Sequence, residues 1–238
     1  MSERFLREEM MLGAEAMEKL EKAHVAIFGI GGVGSWCAEA LARAGVGAIT
    51  LIDQDTVGES NINRQILALD STIGMEKSAA MAARIADINP NCRVNAICGR
   101  YEAAAREQFF TEKYDYIVDA IDLVACKVDL ILSAMERNIP IVSALGTGNK
   151  LDASLLRLCD ISKTEGCPLA RVVRKELRKH GINHHAVVFS PEEGVKAEQR
   201  EAPPPGRRSV PGSLVWVPAA AGLLLAQKVV LDIAEREY

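Results

Sequence analysis

No C-x-x-C pair occurs among the six cysteines of this 238-residue chain. That absence argues against a structural zinc site, and the placement of several cysteines inside apolar runs argues against an extracellular disulfide framework. The chain reads as reduced and cytoplasmic. Excess charge is lacking too: 28 Lys and Arg against 32 Asp and Glu give a formal net charge of -4. This balance excludes a protein that holds nucleic acid by bulk charge alone and leaves room for a local basic face. The start, Met1-Ser2-Glu3-Arg4, lacks the basic opening and apolar stretch of a signal peptide. Long apolar runs are missing as well. The longest, 214–226, is about 13 residues, too short to span a bilayer and interrupted by Pro218, so no integral membrane segment is expected. It reads as a buried helix at a subunit contact. Internal repeats are absent. What remains, 49% hydrophobic and 25% charged residues, is the makeup of a large globular domain whose core needs no metal or disulfide staple.

Residues 2–22 have the pattern of one or two amphipathic helices, and the apolar run 25–28 that stops at glycine marks a buried parallel strand. Strand and helix then alternate. Helices are expected over 33–44, 76–89, 123–138 and 169–180, and strands over 48–52, 94–98, 116–120 and 140–144, with further strands at 155–159 and 186–189. The expected fold is α/β: a Rossmann-like, mainly parallel sheet with helices on both faces, plus C-terminal strands and a helix. Segment 191–211, with Pro203-Pro204-Pro205-Gly206-Arg207-Arg208, reads as a loop.

Gly29-Ile30-Gly31-Gly32-Val33-Gly34 follows the first strand and opens a helix, which is the context that gives G-x-G-x-x-G its meaning. Glycines there let backbone amides approach an anion at a helix N-terminus. Asp53, about 19 residues beyond Gly34 at the end of the second strand, can accept hydrogen bonds from ribose hydroxyls. Alone these features indicate a nucleotide. Asp53-Gln54-Asp55, Asn61-Ile62-Asn63-Arg64-Gln65, Lys77, Asp119 and Asp122 then occur in order. A hydride-transfer enzyme would need none of the last four sets, whereas Arg and Lys can clamp a triphosphate while a carboxylate holds its magnesium. Asp122 falls just past a strand, at the carboxyl edge where open α/β sheets bind ligands.

Gly29 to Gly34, Asp53-Gln54-Asp55, Ser60 to Gln65, Lys77 and Asp119-Ala120-Ile121-Asp122 together resemble the ThiF-type adenylating core. That core is shared by ubiquitin-activating enzymes and bacterial sulfur-carrier adenylyltransferases. Within this superfamily, Arg4-Phe5 with Met11-Leu12-Gly13, Gly31 to Trp36, Asn61 to Gln65, Ile88-Asn89-Pro90 and Pro168-Leu169-Ala170 are similar to the branch of tRNA threonylcarbamoyladenosine dehydratases. The similarity covers nearly the whole chain and weakens past His185. It implies one adenylating domain over 1–238: N-terminal helices 2–22, a nucleotide-binding core 23–150, and a substrate-side and dimer region 151–238. It further implies a homodimer that binds ATP and Mg2+ through Gly29, Gly31, Gly32, Gly34, Asp53, Asp55, Asn61, Asn63, Arg64, Lys77 and Asp122. In that scheme Asp53 takes the ribose, Arg64 and Lys77 the phosphates, and Asp122 the metal. The catalytic set is Arg64, Lys77, Asp122 and Arg7, the last matching an N-terminal arginine that reaches ATP across the dimer; Arg4 is its near neighbour.

Adenylation asks a substrate carboxylate to attack the α-phosphorus of ATP and expel pyrophosphate, which needs orientation and charge neutralisation but no protein nucleophile. The implied carboxylate belongs to tRNA carrying threonylcarbamoyladenosine. The alternative is the C-terminal glycine of a ubiquitin-like sulfur carrier, for which Cys167 is the candidate thiol and which a sulfur-transfer partner would serve. Some members of the dehydratase branch carry a cysteine near the C-terminal segment that can receive sulfur; here Ser209, Val210 and Ser213 stand in that stretch, and no cysteine follows Cys167. For tRNA, helix 169–180 offers Arg171, Arg174, Lys175 and Arg178 opposite an apolar stripe of Leu169, Val173 and Leu177, with Arg207 and Arg208 beyond. His24, His180, His184 and His185 have no ligand spacing and read as surface or core residues.

Overall fold

A computed structural model describes residues 3–198, 200 and 210–236. A short 3-10 turn at Glu3–Phe5 leads into α1 (Leu6–Leu12) and α2 (Ala14–Lys22), which bend at Gly13. There follow β1 (His24–Phe28), α3 (Gly34–Arg43), β2 (Ala48–Asp53), α4 (Lys77–Ile88), β3 (Arg93–Cys98), β4 (Tyr116–Asp119), α5 (Val124–Glu136) and β5 (Ile141–Ala144). Then come β6 (Arg157–Asp160), α6 (Pro168–Lys179), β7 (Ala186–Phe189) and α7 (Trp216–Ile233). Helix α6 starts as its residues dictate, with Pro168 in the first turn, where its missing amide costs nothing.

The strands form one seven-stranded sheet in the order β3-β2-β1-β4-β5-β7-β6. All pairs are parallel except β6 with β7. The expected C-terminal strands therefore extend the main sheet. Side chains of β1 alternate between two cores. Val25 and Ile27 face Leu41, Met81, Ile85, Leu225 and Val229 on the α3, α4 and α7 side. Ala26 and Phe28 face Phe109, Leu130, Ile131, Val173 and Leu177 on the side of α5 and α6. Burial on both faces is what makes β1 read as a continuous apolar run.

The expectation from run length for the C-terminal apolar segment needs correcting. The segment is part of the 18-residue helix α7, long and apolar enough by length and composition to cross a membrane. Pro218 does not interrupt it, because it lies in the first turn, where an amide has no intrahelical acceptor. Val217, Ala221, Leu225 and Val229 are fully buried, and α7 packs along α3. The helix is a layer of the core. Arg207, Arg208 and Ser209 lie outside the described residues.

Candidate active site

Strand order reverses between β1 and β4: β2 and β3 continue outward on one side, β5, β7 and β6 on the other. The loops leaving the carboxyl ends of these two neighbours enclose the crevice where ligands of such sheets bind. One of them is the glycine turn, Gly29 to Gly34, running straight into α3. A Cβ at Gly29 would stand 2.7 Å from the Ala120 carbonyl oxygen, and one at Gly34 would stand 1.8 Å from that of Gly29. Only glycine lets the turn close this tightly against the β4 loop and aim its amides at an anion.

Four segments gather around this turn. The half-buried carboxylate of Asp53 accepts from the Ile30 amide at 2.6 Å and from the Asp55 amide at 2.8 Å. Asp55 in turn holds the buried Lys77, whose Nζ is 2.9 Å from its Oδ2. Arg64 lies over the turn: its Cγ is 3.5 Å from where a Cβ on Gly32 would be, and its carbonyl accepts from Trp36 Nε1 at 3.0 Å. Its guanidinium donates to the Ser60 carbonyl and to Asn63 Oδ1. Asn61 Oδ1 accepts from the Gly58 amide at 3.1 Å, shaping the loop, and Asn63 Nδ2 donates to the Ser213 carbonyl at 3.0 Å. Gly31 is beside the buried Gln65, whose Oε1 has no hydrogen-bond partner among the described residues. Thus Gly29, Gly31, Gly32, Gly34, Asp53, Asp55, Asn61, Asn63, Arg64 and Lys77 are brought together, with Asn61 and Asn63 engaged in building the loop.

Asp122 is exposed on the loop after β4. That loop is fastened from below by a buried ion pair the motif reading missed. Lys127 Nζ is 2.7 Å from Asp119 Oδ2 and 2.9 Å from the Ala144 carbonyl oxygen, and Asp119 Oδ1 accepts from the Ile121 amide at 3.0 Å. Both charged side chains are fully buried. The available signal was a lone lysine in the otherwise apolar face of α5.

Arg7 is not among these residues. It is exposed on α1, whose root is at the opposite, amino edge of the sheet: Phe5 packs on Gly45 after α3, and Arg4 donates to the carbonyl of Ile88 at the end of α4. The expected basic face of α6 also needs correcting. Arg171, Lys175 and Arg178 are exposed, but the guanidinium of Arg174 turns back onto the Thr164 hydroxyl and the carbonyls of Thr164 (2.7 Å) and Ile161 (3.3 Å). It is a structural clasp. Cys167 is buried, and its Sγ accepts from the Ala170 amide at the start of α6.

The four histidines fall into the two expected classes. His180 and His184 are exposed. His24 and His185 are buried and bonded to Thr50 and Ser143, each at 2.8 Å. Burial is the main cause lowering both imidazoles, with the Arg93 charge adding at His24; His185, also facing the Lys127 charge, is lowered to about 3.

The ThiF family model matches residues 5–230 of the chain. The tRNA threonylcarbamoyladenosine dehydratase of Bacillus subtilis (strain 168) is 44% identical over 242 aligned positions, covering 98% of this chain and 95% of that protein. Two structures of the E. coli tRNA N6-threonylcarbamoyladenosine dehydratase are also similar, each covering 98% of this chain and 94% of theirs. The one in complex with ATP has a TM-score of 0.87 and 36% identity, and the one in complex with AMP a TM-score of 0.88 and 35% identity.

Proposed function

The chain belongs to the ThiF family, and from that premise we propose that it is an ATP-dependent tRNA threonylcarbamoyladenosine dehydratase, built as one adenylating domain. The observation that carries the reading is the gathering of Arg64, Lys77 and the Asp53-held glycine turn at the crevice between β1 and β4, with Asp122 on its rim. Asp53 accepts the ribose hydroxyls with lone pairs left over from its backbone bonds. The glycine-turn amides, Arg64 and Lys77 take the phosphates, Lys77 exchanging its bond to Asp55 for the incoming charge.

The threonylcarbamoyl carboxylate attacks the α-phosphorus, and the bond to pyrophosphate breaks. The ureido group of the same modification then attacks the acyl carbon, loses a proton and expels AMP. The ring closes with net loss of water. Arg64 and Lys77 stabilise the charge that develops on the phosphates.

Asp122 fits a magnesium ion in chemistry: it is an exposed hard-oxygen donor at the phosphate site, and Mg2+ needs only one or two carboxylates when phosphates supply the rest. Among the described residues no closed metal cage of three His, Cys, Asp or Glu side chains exists. When bound, the ion would neutralise triphosphate charge. A homodimer belongs to the same reading. Arg7 could reach a nucleotide only on a second copy, and its helix exposes Leu6, Met10 and Met11 at 54%, 78% and 83%. A cytoplasmic location follows from the two substrates.

The tRNA would lie along α6. That helix begins beside the β5 loop, where a Cβ on Gly146 would be 3.7 Å from Cys167 Sγ. Its exposed Arg171, Lys175 and Arg178 line a depression of about 370 Å³ with no paired carboxylate among the described residues, whereas Lys179 is paired with Glu176. Such a face fits phosphates.

The deciding experiment resolves AMP plus pyrophosphate from ADP with threonylcarbamoyl-bearing tRNA, unmodified tRNA and a ubiquitin-like sulfur carrier. AMP only with the modified tRNA, reduced on the order of 100-fold or more by Asp122→Ala, is expected. AMP or pyrophosphate exchange only with the carrier would replace this reading.

A further inference from the structure

Lys150 is 5% exposed, and among the described residues no hydrogen bond or ion pair engages its ammonium. Two carboxylates on adjoining segments are committed elsewhere. Glu192 accepts from the Leu151 and Asp152 amides at 2.9 and 3.2 Å, and Asp152 accepts from the Ser154 amide at 2.8 Å. The stem is packed among its neighbours while the ammonium at its tip is left to water without an anion, an arrangement that an incoming oxyanion completes.

The position of Lys150 identifies the ligand's chemistry. Its loop, 145–150, leaves the carboxyl end of β5, next to β4, where Asp119 is the partner of Ser143. Lys127 fastens the root of this loop, at Ala144, to Asp119 at the root of the Asp122 loop. On the other side, Asn149, at a φ of 60°, exchanges hydrogen bonds with Gly212: its amide donates to the Gly212 carbonyl at 2.8 Å, and its Oδ1 accepts the Gly212 amide at 2.6 Å. Asparagine tolerates this left-handed backbone. Ser213, the next residue, accepts from Asn63 in the segment carrying Arg64. Lys150 is thereby held on a loop tied both to the Asp122 loop and to the Arg64 segment.

We propose that Lys150 is an oxyanion receptor of the active site, pairing with the nucleotide phosphate or with the carboxylate that attacks it. This deepens the dehydratase reading and rests on it. K150M keeps the apolar stem and removes the charge; K150R keeps the charge. ATP affinity by calorimetry, AMP formation over a range of modified-tRNA concentrations, and melting temperature are measured for both variants and the wild type. A loss in AMP-forming kcat/KM on the order of 10- to 100-fold is expected for K150M, with melting unchanged or raised and with partial recovery in K150R. If ATP affinity falls by the same factor, the phosphate is the anion; if ATP affinity holds while the tRNA KM rises or kcat drops, it is the carboxylate. Wild-type values of all three quantities in K150M overturn the proposal. Should K150M unfold, K150Q carries the same comparison. A wild-type protein that makes no AMP from the modified tRNA overturns the dehydratase reading and the carboxylate source with it. The ATP titration then decides Lys150 alone, and equal affinities reject it.

Discussion

The carboxylate of Asp53 ties the end of β2 to the glycine turn, accepting from the Ile30 amide at 2.6 Å and, through its other oxygen, from the Asp55 amide at 2.8 Å. One side chain therefore both sets the turn's shape and presents acceptor lone pairs to the crevice. Asp53→Ala removes both charge-assisted bonds, each worth about 1.5–3 kcal/mol. ATP affinity by calorimetry should fall on the order of 10- to 100-fold, with Asp53→Asn between the two. Unchanged affinity would show that the turn is set by its glycines alone.

Lys127 and Asp119 form a pair with no access to water. Lys127→Met leaves a buried carboxylate uncompensated and should cost about 3–5 kcal/mol in urea unfolding. The double replacement K127M with D119L should regain most of that, because an apolar pair of similar volume carries no desolvation penalty. Simple additivity of the two single changes would contradict the coupling.

The basic residues of α6 should separate into two behaviours. Lys175→Glu with Arg178→Glu should weaken tRNA binding and flatten its dependence on salt, leaving ATP binding and melting intact. Arg174→Ala should instead lower stability by about 1–3 kcal/mol, since the carbonyls of Ile161 and Thr164 lose their donor. Equal effects of the exposed and clasping residues on RNA binding would refute this division.

Acid should destabilise the fold through His185. Its imidazole stays neutral in the folded state down to about 3, whereas the ordinary value is 6.5. Between those values the unfolded chain binds more protons. Stability therefore falls as pH drops below the ordinary value, by at most about 1.4 kcal/mol per pH unit from this group, and is fully present above it. His24, also lowered by burial, contributes with the same sign. Urea midpoints from pH 7 to 4 should show a shallower decline in His185→Gln than in the wild type; parallel curves would exclude His185 as a source.

Much of this molecule is legible in one dimension. The glycine turn, the strand before it and Asp53 are recognisable because their meaning lies in local order: strand, turn, helix, next strand. Apolar periodicity marks α2, α3 and α6, and continuous apolar runs mark β1 and β4. Run length misjudged α7, because a proline in a first turn is compatible with the helix it seems to break. Composition could not distinguish Arg174 from Lys175, which are adjacent in sequence and differ only in which way the helix turns them. The Lys127 bond to the carbonyl of Ala144 depends on β5 lying beside β4, and the loop carrying Lys150 meets Gly212, far along the chain, only in the folded structure. Local preferences, which cost one residue's dihedrals at a time, were determined by the sequence itself. Which charges share a low-dielectric interior was decided by packing between segments far apart in the chain, because the energy of a buried charge depends on its neighbours in space.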